Sequence, residues 1–315
     1  MAEWLYENGI GENRAALIED GEIVLARIEL PGQGPRVGAI VEARLVEKGK
    51  RMARVALSDG TEAMLATPPA GVTQGATLRV EIVREAIPER GRPKRAMAVP
   101  AIGLELTAGP TLRDEIEASG TPVRECLAHQ PDSLEAAGWS ELLDEAVTGE
   151  IAFVGGALRM SVTPAMTLFD VDGDGDATAL ALAGVRAAAR AILRHGIGGS
   201  IGIDLPTLAS KRERQGIDDA FDAAISGPFE RTATNGFGFL QVIRRRDRVS
   251  LPELLAADRA GAAARALLRR VERTPPPGQR TVTAPSAVVA RLSAEPDWRA
   301  ELARRTGRDT DFVEG

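Results

Sequence analysis

The 315-residue sequence predicts a mixed α/β (α+β) protein in which a small β-barrel of OB type precedes an α/β subdomain. Three observations carry this. Residues 37–99 hold five short runs of alternating polarity separated by turn residues, the signature of a small barrel. Residues 166–205 read as strand, amphipathic helix and strand, which is a βαβ unit. The hydrophobic and charged fractions, 44% and 27%, are those of a globular chain. No apolar run approaches the roughly 18 residues that would suggest a membrane span.

Residues 15–18 and 22–30 are predicted strands joined at Asp20-Gly21, a hairpin signal. Pro31-Gly32-Gln33-Gly34-Pro35 then breaks the chain. Barrel strands are expected at 39–46, 52–57, 62–66, 77–86 and 95–99, with turns at Lys48-Gly49-Lys50, Ser58-Asp59-Gly60, Pro68-Pro69-Ala70-Gly71 and Pro88-Glu89-Arg90-Gly91. Such barrels bind single-stranded nucleic acid through aromatic platforms and charge. This one has no Phe, Tyr or Trp, but it offers Arg84, Arg90, Arg92, Lys94 and Arg95. A solvated hairpin tip explains those charges as well as an RNA contact does. Helices are predicted at 111–119 and 132–146. Cys126 and His129, three apart, read as packing residues. A hairpin follows over 150–154 and 157–162 around Gly155-Gly156.

Two short apolar segments, Leu168-Phe169-Asp170 and Ile201-Gly202-Ile203-Asp204, each end in an acid. Functional groups often sit at the carboxyl ends of strands in βαβ units, so Asp170 and Asp204 are expected side by side. Two carboxylates that close repel unless a cation sits between them. A hard divalent ion such as Mg²⁺, held by one or two carboxylates and otherwise by water and phosphate, suits the pair. Two plainer readings stand beside this one. A strand-end Asp is often an N-cap, and Asp170–Asp176 resembles a calcium loop, although Ala181 stands where an EF-hand needs its twelfth-position Glu. In the intervening helix, 178–194, Leu182, Val185, Ala189 and Ile192 share one side and Arg186, Arg190 and Arg194 another.

Beyond Asp204, residues 206–214 read as a polar loop, 215–226 as a helix, and 232–234 with 238–243 as a strand pair. Arg244, Arg245, Arg246 and Arg248 follow at once. Beside two carboxylates they would suit phosphate; elsewhere they are a solvated patch. A helix over 251–273, a Pro-rich linker at 274–278 and helical stretches at 288–292 and 297–305 complete the chain. The net charge of −6 excludes a uniformly basic nucleic-acid coat, not a local basic cleft. A single cysteine, Cys126, excludes a disulfide framework and a Cys-x-x-Cys zinc site. With no hydrophobic signal core at the N-terminus, a cytoplasmic protein without membrane contact is expected.

The run LFDVDGD, a helix, RHGIGGSIGIDL and then FGFLQVIRRR resembles the ribonuclease E/G family in residues and in order. TGEIAFVGGALRMSVTPAM looks like that family's approach to its first acid, and EN…RAALIEDGEIVLARIE with the embedded barrel fits its opening. The resemblance implies an OB-type RNA-binding barrel (37–99) inserted into a ribonuclease-H-like domain (1–36 and 100–148, with a reduced sensor region). A DNase-I-like catalytic subdomain (149–273) and a small C-terminal appendage (274–315) follow. It also implies that Asp170 and Asp204 hold Mg²⁺ and that Asp172, standing where the family has Asn, orients the ion's water shell or adds a ligand. Lys94 falls near a basic barrel residue that faces the catalytic site, with Arg92 and Arg95 beside it, and Arg244 and Arg246 match arginines that would clamp phosphate.

The chain departs from the family at several points. Gln241 replaces a Glu, and Ala181 and Ala183 stand where Asn-Leu-Glu opens the helix. The 5′-monophosphate sensor is reduced to at most the GLELTAG run at 103–109. The zinc-linking Cys-Pro-x-Cys is absent, so any homodimer is not zinc-linked. The expected function is a Mg²⁺-dependent endoribonuclease that cleaves single-stranded RNA to 5′-phosphate and 3′-hydroxyl products in RNA processing or decay. The alternative is a non-catalytic RNA-binding protein descended from such an enzyme.

Overall fold

The computed structural model describes residues 2–89, 91, 93–274 and 281–315. Arg90, Arg92 and most of the expected linker lie outside the described residues. The chain forms two compact units. One comprises Met1–Gly32, Leu112–Ser140 and Leu255–Gly315; the other comprises Gln33–Thr111 and Glu141–Leu254.

Alternating burial builds three antiparallel strands at the start, β1 (Glu3–Asn8), β2 (Asn13–Glu19) and β3 (Glu22–Glu29). The predicted Asp20-Gly21 hairpin turn joins β2 to β3, and both of its residues adopt positive φ. Five strands follow: β4 (Ile40–Lys48), β5 (Met52–Leu57), β6 (Glu62–Ala66), β7 (Thr77–Arg84) and β8 (Ala96–Pro100). They close into a barrel in the order β4-β5-β6-β8-β7, with β6 and β8 parallel. The closed five-stranded barrel is compatible with the OB-like form expected. Its core is Ala43, Leu45, Val55, Leu65, Val80 and Ile82 with further alanines, small residues that let five strands close tightly.

The chain then returns to the first sheet. Helix α1 (Leu112–Ala118) packs Leu112 and Ile116 on Trp4 and Tyr6, and β9 (Val123–Glu125) pairs in parallel with β1. The helix expected at 132–146 is two helices, α2 (Ser133–Ala136) and α3 (Trp139–Thr148), because Gly138 between them takes φ 94°.

A six-stranded sheet carries the acids. Its strands are β10 (Glu150–Phe153), β11 (Gly156–Val162), β12 (Thr167–Gly173), β13 (Gly199–Asp204), β14 (Phe229–Arg231) and β15 (Phe239–Arg244), in the order β10-β11-β12-β13-β15-β14. Helix α4 (Ala177–Arg194) crosses from β12 to β13, and α5 (Lys211–Ala224) follows β13. Val185, Ala188, Ile192, Ile217 and Phe221 cover one sheet face, meeting Phe169, Val171, Ile201, Ile203, Leu240 and Val242. Gly184 lets α4 approach Val171, where any Cβ would collide. Two expectations shift here. The stretch read as a polar loop already contains the start of α5, fixed by a capping box of Ser210 and Glu213. The strand placed at 232–234 lies at Phe229–Arg231, where Phe229 can meet Phe221 edge to face.

The helix expected over 251–273 is also two, α6 (Leu251–Ala257) and α7 (Arg259–Glu272), separated where Asp258 caps the Gly261 N–H. Strand β16 (Thr281–Ala284), helices α8 (Ser286–Ser293) and α9 (Pro296–Thr306), and β17 (Asp311–Glu314) follow. The described residues of the expected small C-terminal appendage belong to the first unit. Val288, Leu292 and Leu302 share a core with Ile10, Leu267 and Leu268. That unit also buries two ion networks. Arg14, fully buried, pairs with Glu7 and Asp132, each at 2.6 Å. Glu12 accepts from Arg265 at 2.9 Å and from Arg269.

His195, at the end of α4, is fully buried, and its Nε2 lies 3.3 Å from Oε2 of Glu145 without hydrogen-bond alignment. Burial, outweighing Glu145, holds its pKa below the ordinary 6.5. The native state therefore resists a proton that the unfolded chain accepts. Stability is complete above about pH 6.5 and falls as pH drops toward the folded-state pKa, by at most ~1.4 kcal/mol per pH unit. Melting temperatures from pH 7.5 to 5 should show this fall, and His195→Gln should flatten it.

Candidate active site

Strands β12 and β13 run parallel with Asp170 directly opposite Asp204. Neighbouring strands lie about 4.8 Å apart, so the two carboxylates project together from the face turned away from α4 and α5. That face follows from alternation, since Phe169, Val171, Ile201 and Ile203 are buried under the helices while Asp172 and Asp204 are exposed and Asp170 is half-buried. Asp204 ends its strand as expected. Asp170 does not, because β12 continues through Asp172 to Gly173. Neither acid caps a helix; Asp176 caps α4 by accepting the Ala179 N–H at 2.7 Å. Burial, with repulsion from Asp172 and Asp204, pushes the Asp170 carboxyl above its ordinary value against the pull of Arg159.

The register extends this pair into a row across five strands: Glu150, Arg159, Asp170, Asp204 and Phe239. Arg159 stands opposite Asp170, and its Nε donates to Glu150 at 3.1 Å. On the other side the Phe239 ring lies over Gly202 beside Leu168. Gly202 faces Gln241, so the position that is Glu in the resembled family is one register step from Asp204. Just past Asp204 the Leu205 N–H donates to the Gly238 carbonyl. Gly238 ends a loop in which the Asn235 side chain accepts from the Phe237 and Phe239 N–H groups. Phe237 on this loop is 83% exposed.

No protein-family model matches this chain, and no curated protein matches it.

The basic residues expected around the acids are placed differently. Arg244 faces Gly199, five positions from Asp204 along β13, or roughly 16 Å at ~3.3 Å per residue. Its side chain follows Leu240 and Val242 on the helix-covered face and donates to the Ser226 carbonyl. It is therefore not brought together with the two acids. Arg246 packs against Gly198 and Gly199 and pairs with Glu89 at 2.9 Å and with Glu253. Lys94 pairs with the same Glu89 at 2.5 Å, and Arg95 with Glu62 at 2.8 Å. Burial works against ionisation of Glu89, but Lys94 and Arg246 together hold its carboxyl below the ordinary range. The Lys94 hairpin thus meets the sheet at the end of β13 remote from Asp204, joined there by ion pairs. Arg92 lies outside the described residues.

Among the described residues no group of three or more His, Cys, Asp and Glu side chains could hold a metal ion. The carboxylates that stand in register are those of Asp170, half-buried, and Asp204, exposed. A pair of that kind, made unfavourable by its own repulsion, fits a hard divalent ion whose remaining ligands are water and phosphate. The sequence reading missed Arg159, Glu150, Phe237 and Phe239. The hairpin pattern over 150–162 held the signal for Arg159, but register across the 163–166 turn decides which residue meets Asp170. Among the described residues, no helix is long and apolar enough to cross a membrane.

Proposed function

We propose that this protein is a Mg²⁺-dependent endoribonuclease acting on single-stranded RNA, related to the ribonuclease E/G family. The observation that carries the proposal is the in-register pair Asp170–Asp204 on the helix-free face of the sheet. Like charges directly opposite on a sheet are destabilising, so their use lies in binding a cation. The chain topology supports the same descent. The barrel lies in the chain between β3 and α1, and the six-stranded sheet follows it, the order that such a descent would give.

In this reading Asp170 and Asp204 would hold the ion. When bound, Mg²⁺ supplies charge stabilisation at the scissile phosphate and a more acidic water, giving 5′-phosphate and 3′-hydroxyl ends. Asp172, one exposed step along the same face, accepts hydrogen bonds from water in the site. Phe239 and Leu168 give an apolar floor that keeps the sheet side of the site dry. Phe237 offers a ring to an unpaired base. The deciding experiment incubates a fluorescent single-stranded RNA with the protein in Mg²⁺ and in EDTA, and cleavage only in Mg²⁺ is expected. Phe237→Ala should weaken RNA binding in EDTA by about 1–3 kcal/mol, the value of one base stacked on an aromatic ring. Unchanged affinity would leave this ring without a role.

A second reading, a non-catalytic RNA-binding protein, is favoured by the placement of Arg244 away from the acids and by Gln241. Binding without cleavage in Mg²⁺ is its signature.

A further inference from the structure

We infer that Arg159 is the phosphate-binding residue of this site, taking the place that the sequence alone assigned to Arg244 and Arg246. The inference rests on the nuclease reading and goes beyond it, because it assigns substrate contact to a strand outside the βαβ unit.

The argument is one of placement and charge. Arg159 lies directly opposite Asp170 and on the same sheet face. It is the basic member of the row that contains both carboxylates. A phosphate bridging to a cation held by Asp170 and Asp204 needs a positive group within a strand's width of that pair, and β11 is the strand adjoining β12 on that side. A planar guanidinium can hold two phosphate oxygens at once. The side chain is also available. It is 62% exposed, and its partner Glu150 is 57% exposed, so the pair is a weak, solvent-screened one. The guanidinium is permanently charged, and Glu150 chiefly, then Asp172 and Asp170, raise its pKa further. Arg246, by contrast, is held between Glu89 and Glu253. Glu150 then acts as a parking partner, which holds Arg159 beside the site and yields it to phosphate.

The test measures binding of a short single-stranded RNA in EDTA across a salt series, and cleavage in Mg²⁺, for Arg159→Ala, Arg159→Lys, Glu150→Gln and the double variant. Arg159→Ala should weaken binding and reduce the slope of log affinity against log salt by about 0.7, the value of one lost phosphate contact on a single strand. Its cleavage rate should fall roughly 10²- to 10³-fold, as when one donor to a developing oxyanion is removed. Arg159→Lys should restore the slope but only part of the rate, because the ammonium cannot bridge two oxygens. Glu150→Gln should tighten binding roughly two- to five-fold, the worth of an exposed ion pair released, and the double variant should lose that gain. An Arg159→Ala protein that binds with unchanged affinity and slope, while the parent protein binds and cleaves, overturns this assignment alone. A parent protein that neither binds nor cleaves RNA overturns the assignment and the nuclease reading together.

Discussion

On the proposed nuclease reading, Asp204→Asn should lower Mg²⁺-dependent cleavage of single-stranded RNA by about 10²-fold or more, and Asp170→Asn should do the same. The loss follows from the small donor set. With Asp170 and Asp204 in register as the proposed ligands, either change removes half of the negative charge that would hold the ion. A few kcal/mol of transition-state stabilisation lost is roughly this factor in rate. The same substitutions have an opposite effect on the metal-free fold. They relieve a cross-strand repulsion, so the apo protein should melt at the same temperature or slightly higher. Cleavage rates at limiting Mg²⁺ and apo melting curves on the same preparations check both halves. Full activity at limiting Mg²⁺ in either variant would show that the ion is held elsewhere. Lost activity with a sharply lowered melting point would show a damaged sheet instead.

Glu12→Ala should destabilise the unit formed by the two chain ends by about 3–5 kcal/mol, the range for removing one partner of a buried ion pair. Glu12 is 3% exposed and accepts from both Arg265 and Arg269, which are themselves buried. Alanine leaves two guanidinium groups without their carboxylate in a low-dielectric setting. Arg269 is already held below its ordinary pKa by burial against the attraction of Glu12. The substitution removes that attraction, and a guanidinium cannot shed its proton to escape. Urea unfolding followed by tryptophan fluorescence reports this unit, because Trp4, Trp139 and Trp298 all belong to it. A midpoint within experimental error of the parent protein would mean that water reaches the two arginines.

The barrel strands at 52–57 and 62–66 were legible to the residue because glycine and proline turns punctuate them and alternation marks their buried side. The acids were legible for a related reason: two apolar runs, each leading into Asp, bracket a helix long enough for one crossover. Charge partners were not legible. Lys94 and Arg246 converge on Glu89, and Arg95 reaches Glu62; the Arg246 and Arg95 contacts span 157 and 33 residues and are set by tertiary packing rather than by local spacing. A basic cluster in sequence therefore looked like a free phosphate clamp although its members are largely neutralised. The start of α5 was legible in principle, since Ser210 and Glu213 stand at capping-box spacing, but the polar surroundings hid it. Strand β14 was misplaced by three residues: Phe229 meets Phe221 edge to face, while Thr234 of the expected strand donates through its N–H and hydroxyl to the buried Asp218.

The way the chain is threaded has a consequence for its synthesis. The first unit draws on three separated stretches, and its Glu12–Arg265 bond joins residues 253 positions apart. A ribosome must release the chain past Arg265 before that bond can form. The opening hairpin of β2 and β3 waits meanwhile with its later partners unmade, while the second unit has all of its residues by Leu254. Contacts of such long range are slow to form, and exposed strand edges awaiting them invite misassembly. The six-stranded sheet with its paired acids should thus mature first during translation, and the terminal unit should be the slow step of the protein's birth.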